Sequence, residues 1–289
     1  MADWTPLPRA RRDRLGEGIT YVPRDGALYW VDILSQRLNR YRLADQTYRE
    51  WAMPDLIGWV IPRRSGPGFI AGLRDGFYAL ELEPELVLTA LPSPSLPPDH
   101  RLNDACADGQ GRIWAGSMGM SATAAAGALF RLDPDPIAGP RWTEVDGPYR
   151  IANGPAIAAD GAWLYHADSA HGLVFRLAVR DDGSLGPREV HIAFPAAWGS
   201  PDGMTLDAEG GLWIAHWGGG CISRFAPDGG RERTIPLPAS QITRPCFAGP
   251  ALDRMFVTSA ADGVDESLAG AVFEVDPGVR GLAPQGFAG

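Results

Sequence analysis

The chain has 289 residues, of which 45% are hydrophobic and 21% charged, and its formal net charge is −9. This composition is typical of a globular protein, and the acidic balance argues against nucleic acid as a partner. The sequence contains no lysine. Enzymes that depend on a lysine Schiff base and nucleotide-binding P-loops are therefore excluded.

The N-terminal segment carries four arginines within residues 9–14, which we expect to form a solvated arm. It has no apolar stretch of the kind found in signal peptides. No run of eighteen apolar residues predicts a membrane span. The three cysteines are far apart and favour buried thiols in a reducing compartment; they are Cys106, Cys221 and Cys246. We therefore predict a cytoplasmic protein with no membrane partner.

One sequence pattern recurs six times. It consists of a glycine-containing turn, a short aromatic-rich run and a second run that ends in a phrase like LFRLD. The copies span residues 25–43, 65–82, 110–133, 160–177, 209–225 and 252–276. Self-similarity at this period is typical of a β-propeller, whose blades have four antiparallel strands. We predict one all-β, six-bladed propeller domain over residues 1–289, with residues 1–14 as a candidate closing strand. A β-sandwich is the alternative, but its strands have no reason to repeat one motif. Residues 120–127 are expected to form a loop.

The first strand of each blade should line the central channel of the propeller. Counting back from the turn after that strand places one residue of each repeat at the channel mouth. This ring comprises Glu17, Gly58, Asn103, Asn153, Asp202 and Pro245. Converging carboxylate and amide oxygens suit a divalent cation, and two carboxylates without a cation would repel each other. The pattern predicts a metal site at one end of the channel, although Asn and Asp also form turns at strand starts.

Arg101 lies two residues before Asn103 and, in a strand, shares its face. Its guanidinium could therefore reach the channel mouth, although the spacing fits a surface arginine equally well. Trp59 and Trp217 are candidate walls for a substrate. The sequence has no G-x-S-x-G nucleophile elbow.

Several phrases resemble the senescence marker protein/gluconolactonase/regucalcin family, and most closely its bacterial sugar-lactonase branch of xylono- and gluconolactonases. They are LGEG (15–18), RLND (101–104), NG (153–154), SPDGMTLDAEGGLWIA (200–215) and RPCFAGPALDRMFVTSA (244–260). The resemblance extends from about residue 15 to 276. It implies a six-bladed propeller with one divalent cation, held by Glu17, Asn153 and Asp202. The cation could be calcium, iron(II), zinc, manganese or magnesium.

By the same resemblance, Arg101 and Asn103 match residues that hold the substrate. Ser121 stands where some members have an acidic substrate contact, so this loop is expected to shape the pocket. RLND itself departs from the usual RPND at Leu102.

The activity implied by the resemblance is hydrolysis of a sugar lactone to the aldonic acid, with the metal as Lewis acid on the lactone carbonyl. Asp202 as general base and a metal-bound hydroxide are alternative ways of activating the attack. The expected partner is a small sugar lactone, and the protein is expected to be a monomer or weak homo-oligomer. The alternatives are a hydrolase of other lactones or phosphotriesters on the same metal site and a non-catalytic calcium-binding propeller.

Overall fold

The computed structural model describes residues 4–135 and 137–289. Their strands form six four-stranded antiparallel sheets, each built mainly from strands that are consecutive in the chain. The prediction of an all-β, six-bladed propeller is confirmed. Blades of short strands suit this chain because its 36 glycines and 26 prolines repeatedly end regular structure.

Within each blade the strands follow one another from the channel outward. The first blade has β2 (Gly16–Val22), β3 (Ala27–Asp32), β4 (Arg37–Arg42) and β5 (Tyr48–Ala52). The second has β6 (Ile57–Pro62), β7 (Phe69–Leu73), β8 (Phe77–Glu81) and β9 (Val87–Ala90). The third has β10 (His100–Ala107), β11 (Ile113–Gly119), β12 (Gly127–Asp133) and β13 (Arg141–Tyr149).

The other three blades follow the same order. The fourth has β14 (Ala152–Ile157), β15 (Trp163–Asp168), β16 (Leu173–Ala178) and β17 (Glu189–Ala193). The fifth has β18 (Ser200–Leu206), β19 (Leu212–Trp217), β20 (Cys221–Phe225) and β21 (Arg231–Pro236). The sixth has β22 (Ile242–Ala248), β23 (Arg254–Ser259), β24 (Phe273–Val275) and β1 (Trp4–Pro6). Short 3-10 helices occur at Pro23–Asp25, Ser169–His171 and Ala196–Trp198.

The N-terminal segment contributes the outermost strand of the sixth blade, where Trp4 pairs with Val275. The segment that follows is not a uniformly solvated arm. Arg9 has a side chain only 6% exposed, forms an ion pair with Asp13 and lies 5.1 Å from the ring centroid of Trp30. Burial of Arg9 corrects the sequence expectation at this position, whereas the Arg14 side chain is 60% exposed.

Three tryptophans in the second strands of their blades are fully buried, and the indole N–H of each donates to an aspartate. Trp114 donates to Asp108 at 2.9 Å and Trp213 donates to Asp207 at 2.8 Å. Trp30 donates to Asp13 at 2.9 Å. The aspartate satisfies a polar atom that burial would otherwise leave without a partner. These tryptophans therefore serve the packing of the blades.

The C-terminal tail after β24 runs across the end of the channel where the inner strands finish. Ala208 N donates to Arg280 O at 2.8 Å, and Phe287 N donates to Pro62 O at 2.9 Å. Phe287 is 1% exposed and packs in the core between the second and third blades. The tail thereby ties the fifth blade to the second.

The cysteines Cys106, Cys221 and Cys246 are all free thiols and are partly buried, where the sequence favoured full burial. In the part of the chain that the structure describes, no helix has the length and hydropathy of a membrane span.

Candidate active site at the start of the inner strands

Each of the six inner strands is interrupted near its start by a shift of register against the next strand. The shifts lie at Glu17–Thr20, Ile57–Trp59, Leu102–Ala105, Asn153–Ala156, Pro201–Met204 and Ile242–Arg244. A bulge of this kind redirects the side chain of the extra residue. Because the bulges lie at one level of the propeller, the residues at them form a ring around the channel.

Five of the six ring positions proposed from the sequence lie at these bulges: Glu17, Gly58, Asn103, Asn153 and Asp202. The sixth does not. Pro245 pairs regularly with Val257 beyond the bulge, and the register shift falls at Thr243. Counting from the irregular turn at Asp253 therefore placed the sixth position two residues too late.

The polar residues of the ring touch one another from blade to blade. Arg101 Nη1 donates to Asn103 Oδ1 at 2.5 Å, and Asn103 Nδ2 donates to Ala152 O at 2.9 Å. Asn153 Nδ2 donates to Asp202 Oδ1 in a close contact. The structure thus brings together four side chains that are separated by up to about a hundred residues in sequence.

Glu17 completes the group from the first blade. Its Oε2 accepts a hydrogen bond from the N–H of Gly18 at 2.8 Å. Gly18 has a φ of 58°, a left-handed conformation that favours glycine. The left-handed turn at Gly18 and the hydrogen bond from its N–H therefore orient the Glu17 carboxylate toward the channel.

Burial dominates the electrostatics of these groups. It raises the pKa of Glu17 to about 8, and the negative charge of Asp104 adds to the effect. It also raises the pKa of Asp202 well above the ordinary value, with further contributions from Glu17 and Asp104. Burial lowers the pKa of Arg101 to about 10. Two carboxylates buried this deeply are unfavourable as anions unless a positive charge lies beside them.

The donor chemistry fits a divalent cation. Glu17 and Asp202 are 5% and 4% exposed and supply carboxylate oxygens, and Asn153 supplies an amide oxygen. Hard cations prefer oxygen ligands of these kinds. Within residues 4–135 and 137–289, no group of three or more His, Cys, Asp or Glu side chains forms a metal cluster. The candidate set consists instead of two carboxylates and an amide.

The other predicted substrate contacts have different positions. Ser121 is exposed in the turn between β11 and β12, at the same end of the channel as the start of β10, because His100 pairs with Gly119. Arg150 Nε donates to Ala122 O at 2.7 Å and holds this loop. Ser121 therefore lies near the mouth but not in the buried group.

Trp59 is not brought into the group of polar side chains. It is 1% exposed, and its ring lies 6.0 Å from that of Phe77 in the core between blades. A Cβ at Gly72 would lie 2.3 Å from the indole, so Gly72 makes room for it. Trp59 is therefore no part of the proposed site. Trp217 is half-buried and pairs with Ser200 at the start of β18.

Gly58, the ring position of the second blade, has no free space beside it. A Cβ at this glycine would lie 2.6 Å from the carbonyl oxygen of Asn103. Gly58 therefore lets β6 and β10 approach closely rather than leaving room for a ligand.

Two charged residues in the channel were missed from the sequence. Asp104 is 1% exposed, Arg244 is 9% exposed, and the two form an ion pair across the channel. Both stand within the quoted phrases RLND and RPCFAGP, but nothing in their spacing indicates that they meet. A cavity of about 680 Å³, lined in part by Arg244 and by Leu282 of the tail, occupies the far end of the channel.

Comparison with known proteins gives the family. The family described as SMP-30/Gluconolactonase/LRE-like region matches residues 15–261. The chain belongs to this family. The resemblance inferred from the sequence phrases is confirmed.

The chain aligns with several relatives over nearly the whole length of both proteins. A 6-deoxy-6-sulfogluconolactonase of Pseudomonas putida is 33% identical over 282 residues, which cover 95% of each chain. A pentonolactonase of Haloferax volcanii is 34% identical over 281 residues, covering 93% of this chain and 92% of the relative. The crystal structure of a regucalcin from Agrobacterium tumefaciens, described as a calcium-binding protein, has a TM-score of 0.90 and 27% identity. That match covers 98% of this chain and 96% of the other.

Proposed function

We propose that this member of the SMP-30/gluconolactonase family hydrolyses a sugar lactone to the open aldonic acid. The observation that carries the proposal is the buried group of Glu17, Arg101, Asn103, Asn153 and Asp202 at one end of the channel. Relatives that align with this chain over nearly their whole length include enzymes named for lactones of six-carbon and five-carbon sugar acids. The similarity to these relatives supports sugar lactones over phosphotriesters as substrates.

Glu17, Asn153 and Asp202 are proposed to hold one divalent cation. When bound, such a cation supplies Lewis-acid polarisation of the lactone carbonyl. The two carboxylates supply the negative charge, and both are buried in the channel. Calcium, manganese, magnesium, zinc and iron(II) are all compatible with oxygen ligands.

Arg101 is proposed to hold the substrate. In the described residues its side-chain hydrogen bonds all come from Nη1, which donates to Leu102 O at 3.1 Å and to Asn103 Oδ1. The Nε and Nη2 donors remain for a carbonyl or hydroxyl oxygen of the lactone. Asn103 fixes the guanidinium from one side and thereby orients it.

Asp202 is proposed to take the proton of the attacking water. The water oxygen bonds to the lactone carbonyl carbon, the bond from that carbon to the ring oxygen breaks, and the proton returns to the ring oxygen. The products are a carboxylic acid and an alcohol on one chain. Asn153 Nδ2 donates to Oδ1 of Asp202, which leaves Oδ2 of the carboxylate for this proton transfer.

A hydrolysis assay with a substrate panel tests the proposal. Metal-stripped protein is offered xylono-, glucono-, galactono- and arabinonolactone and an aryl phosphotriester, each with and without added cations. We expect cation-restored hydrolysis of at least one sugar lactone. Turnover of the phosphotriester alone would contradict the proposal, and cation binding without any turnover would favour a calcium-binding propeller.

Two variants separate the proposed roles. Asp202→Ala is expected to abolish both cation binding and turnover. Arg101→Gln is expected to keep the cation and lose about a hundredfold or more in kcat/KM, since it removes a charged substrate contact. Arg141→Gln is the matched control, because the Arg141 side chain is 77% exposed and lies outside the channel. Equal activity of Arg101→Gln and the control would contradict the substrate role.

A further inference from the structure

Asp104 and Arg244 join inner strands on opposite sides of the channel. Arg244 Nη1 forms an ion pair with Asp104 Oδ1, and Arg244 Nη2 donates to Ala105 O at 3.1 Å. β10 belongs to the third blade and β22 to the sixth, which face each other across a ring of six. The Arg244 side chain therefore crosses the channel between the buried polar group and the cavity beyond it.

The position of the Arg244 side chain is set by the two strands that carry Glu17 and Asp202. A Cβ at Gly203 would lie 2.7 Å from Cβ and Cγ of Arg244, so the glycine after Asp202 is what lets the side chain pass. On the other side, Thr243 Oγ1 donates to Gly16 O at 2.6 Å and fixes this strand against the residue before Glu17. Arg244 thus starts between two candidate cation ligands.

The charges in this layer of the channel nearly cancel. The anions are Glu17, Asp104 and Asp202, and the cations are Arg101 and Arg244, so the formal charge of the layer is −1 when all five are ionised. Arg244 packs against Gly203, the neighbour of Asp202, and follows Thr243, which is bonded to Gly16, the neighbour of Glu17. The pair therefore acts on the candidate ligands as well as on itself.

We propose that the Asp104–Arg244 pair sets the cation affinity of this site, with Arg244 offsetting the one carboxylate that does not belong to the ligand set. The inference rests on the cation site proposed above. Without Arg244, a third uncompensated carboxylate beneath the ligands would hold the cation more tightly. Without the charge of Asp104, two arginines would face two carboxylates and the cation would be held more weakly.

Calorimetric titration of calcium and of manganese measures this directly, without relying on turnover. In R244Q the formal charge of the layer becomes −2, and we expect the affinity to rise by about tenfold or more, since charges interact strongly in a buried channel. In D104N the charge becomes zero, and we expect a loss of about the same size. The double variant D104N/R244Q restores −1 and is expected to bind within about threefold of the unchanged protein.

Arg244→Lys is the matched control, because it keeps the positive charge while changing the shape of the group. Because the charge is kept, we expect its affinity to stay within about threefold of the unchanged protein. If R244Q does not fold, as judged by circular dichroism, D104N and the double variant still differ only in the charge at position 244. Tighter binding by the double variant than by D104N then supports the proposal.

The outcomes separate this inference from the proposed function. If the unchanged protein binds the cations and the variants all bind alike, or R244Q binds more weakly, the charge-setting role is overturned while the cation site stands. If the unchanged protein binds neither cation, the cation site and this inference both fail. A loss of affinity in R244K as large as the gain expected for R244Q would show that shape, not charge, is what matters.

Discussion

Cation binding should depend steeply on pH, because burial favours the protonated form of the proposed ligand Glu17. Burial raises the pKa of Glu17 from 4.5 to about 8. A cation binds the ionised carboxylate, so below about pH 8 it must displace a proton. The affinity should therefore rise with pH and level off once Glu17 is ionised in the free protein.

The magnitude follows from the linkage between protons and cation. Each pH unit below the pKa lowers the affinity about tenfold, which is about 1.4 kcal/mol. Because Glu17 is half protonated at its pKa, Glu17 alone should lower the affinity about fiftyfold between about pH 8 and about pH 6. The pKa of Asp202 is also raised by burial and by Glu17, so the dependence should be steeper where both carboxyls are protonated.

Calorimetric titration at several pH values, in buffers of different ionisation enthalpy, gives both the affinity and the number of protons released. We expect between one and two protons per cation below about pH 7. Glu17→Gln should release about one proton fewer, whereas Glu209→Gln should behave like the unchanged protein, because Glu209 is 65% exposed and pairs with Arg224. An affinity independent of pH over this range, with no proton release, would refute the reasoning.

Two further predictions concern stability. His166 is fully buried against Tyr149, and burial lowers its pKa from 6.5 to about 3. The folded state keeps this histidine neutral, whereas the unfolded chain takes up a proton at low pH. The contribution of His166 to the free energy of unfolding is therefore complete above about pH 6.5. It falls by about 1.4 kcal/mol per pH unit as the pH drops toward 3. In urea unfolding, the stability difference between the unchanged protein and His166→Phe should therefore shift by about 2 kcal/mol between about pH 6.5 and about pH 5, and a constant difference would contradict this. Phe287→Ala should lower the free energy of unfolding by about 3–5 kcal/mol. It should leave kcat/KM for the lactone unchanged, since the tail lies at the other end of the channel. A loss of turnover in folded protein would show that the two ends are coupled.

The repeat pattern was sufficient to predict the propeller, because each blade is a local unit whose strands follow one another in the chain. The same regularity explains why counting within each repeat brought Glu17, Asn103, Asn153 and Asp202 to one level. These predictions needed only the spacing of residues along single blades. The count failed at Pro245, where the turn used as reference is irregular and the bulge lies at Thr243.

The direction of side chains and the contacts between blades were decided by the tertiary structure. Trp59 stands beside a ring position in sequence, but its indole fills the core because Gly72 leaves space for it. Asp104 and Arg244 are 140 residues apart and meet only because closure of the ring places the third and sixth blades opposite each other.

The sequence by itself determined the repeating blade and the acidic and amide residues at the strand starts, since these depend on local spacing and composition. The tertiary structure decided where the tail crosses the channel, which charges face each other within it, and how buried each carboxylate is. Burial and charge pairing are properties of the closed ring, because each depends on groups brought from several blades at once. The chemistry proposed for the site therefore depends on residues that the sequence shows and on an environment that only the assembled propeller provides.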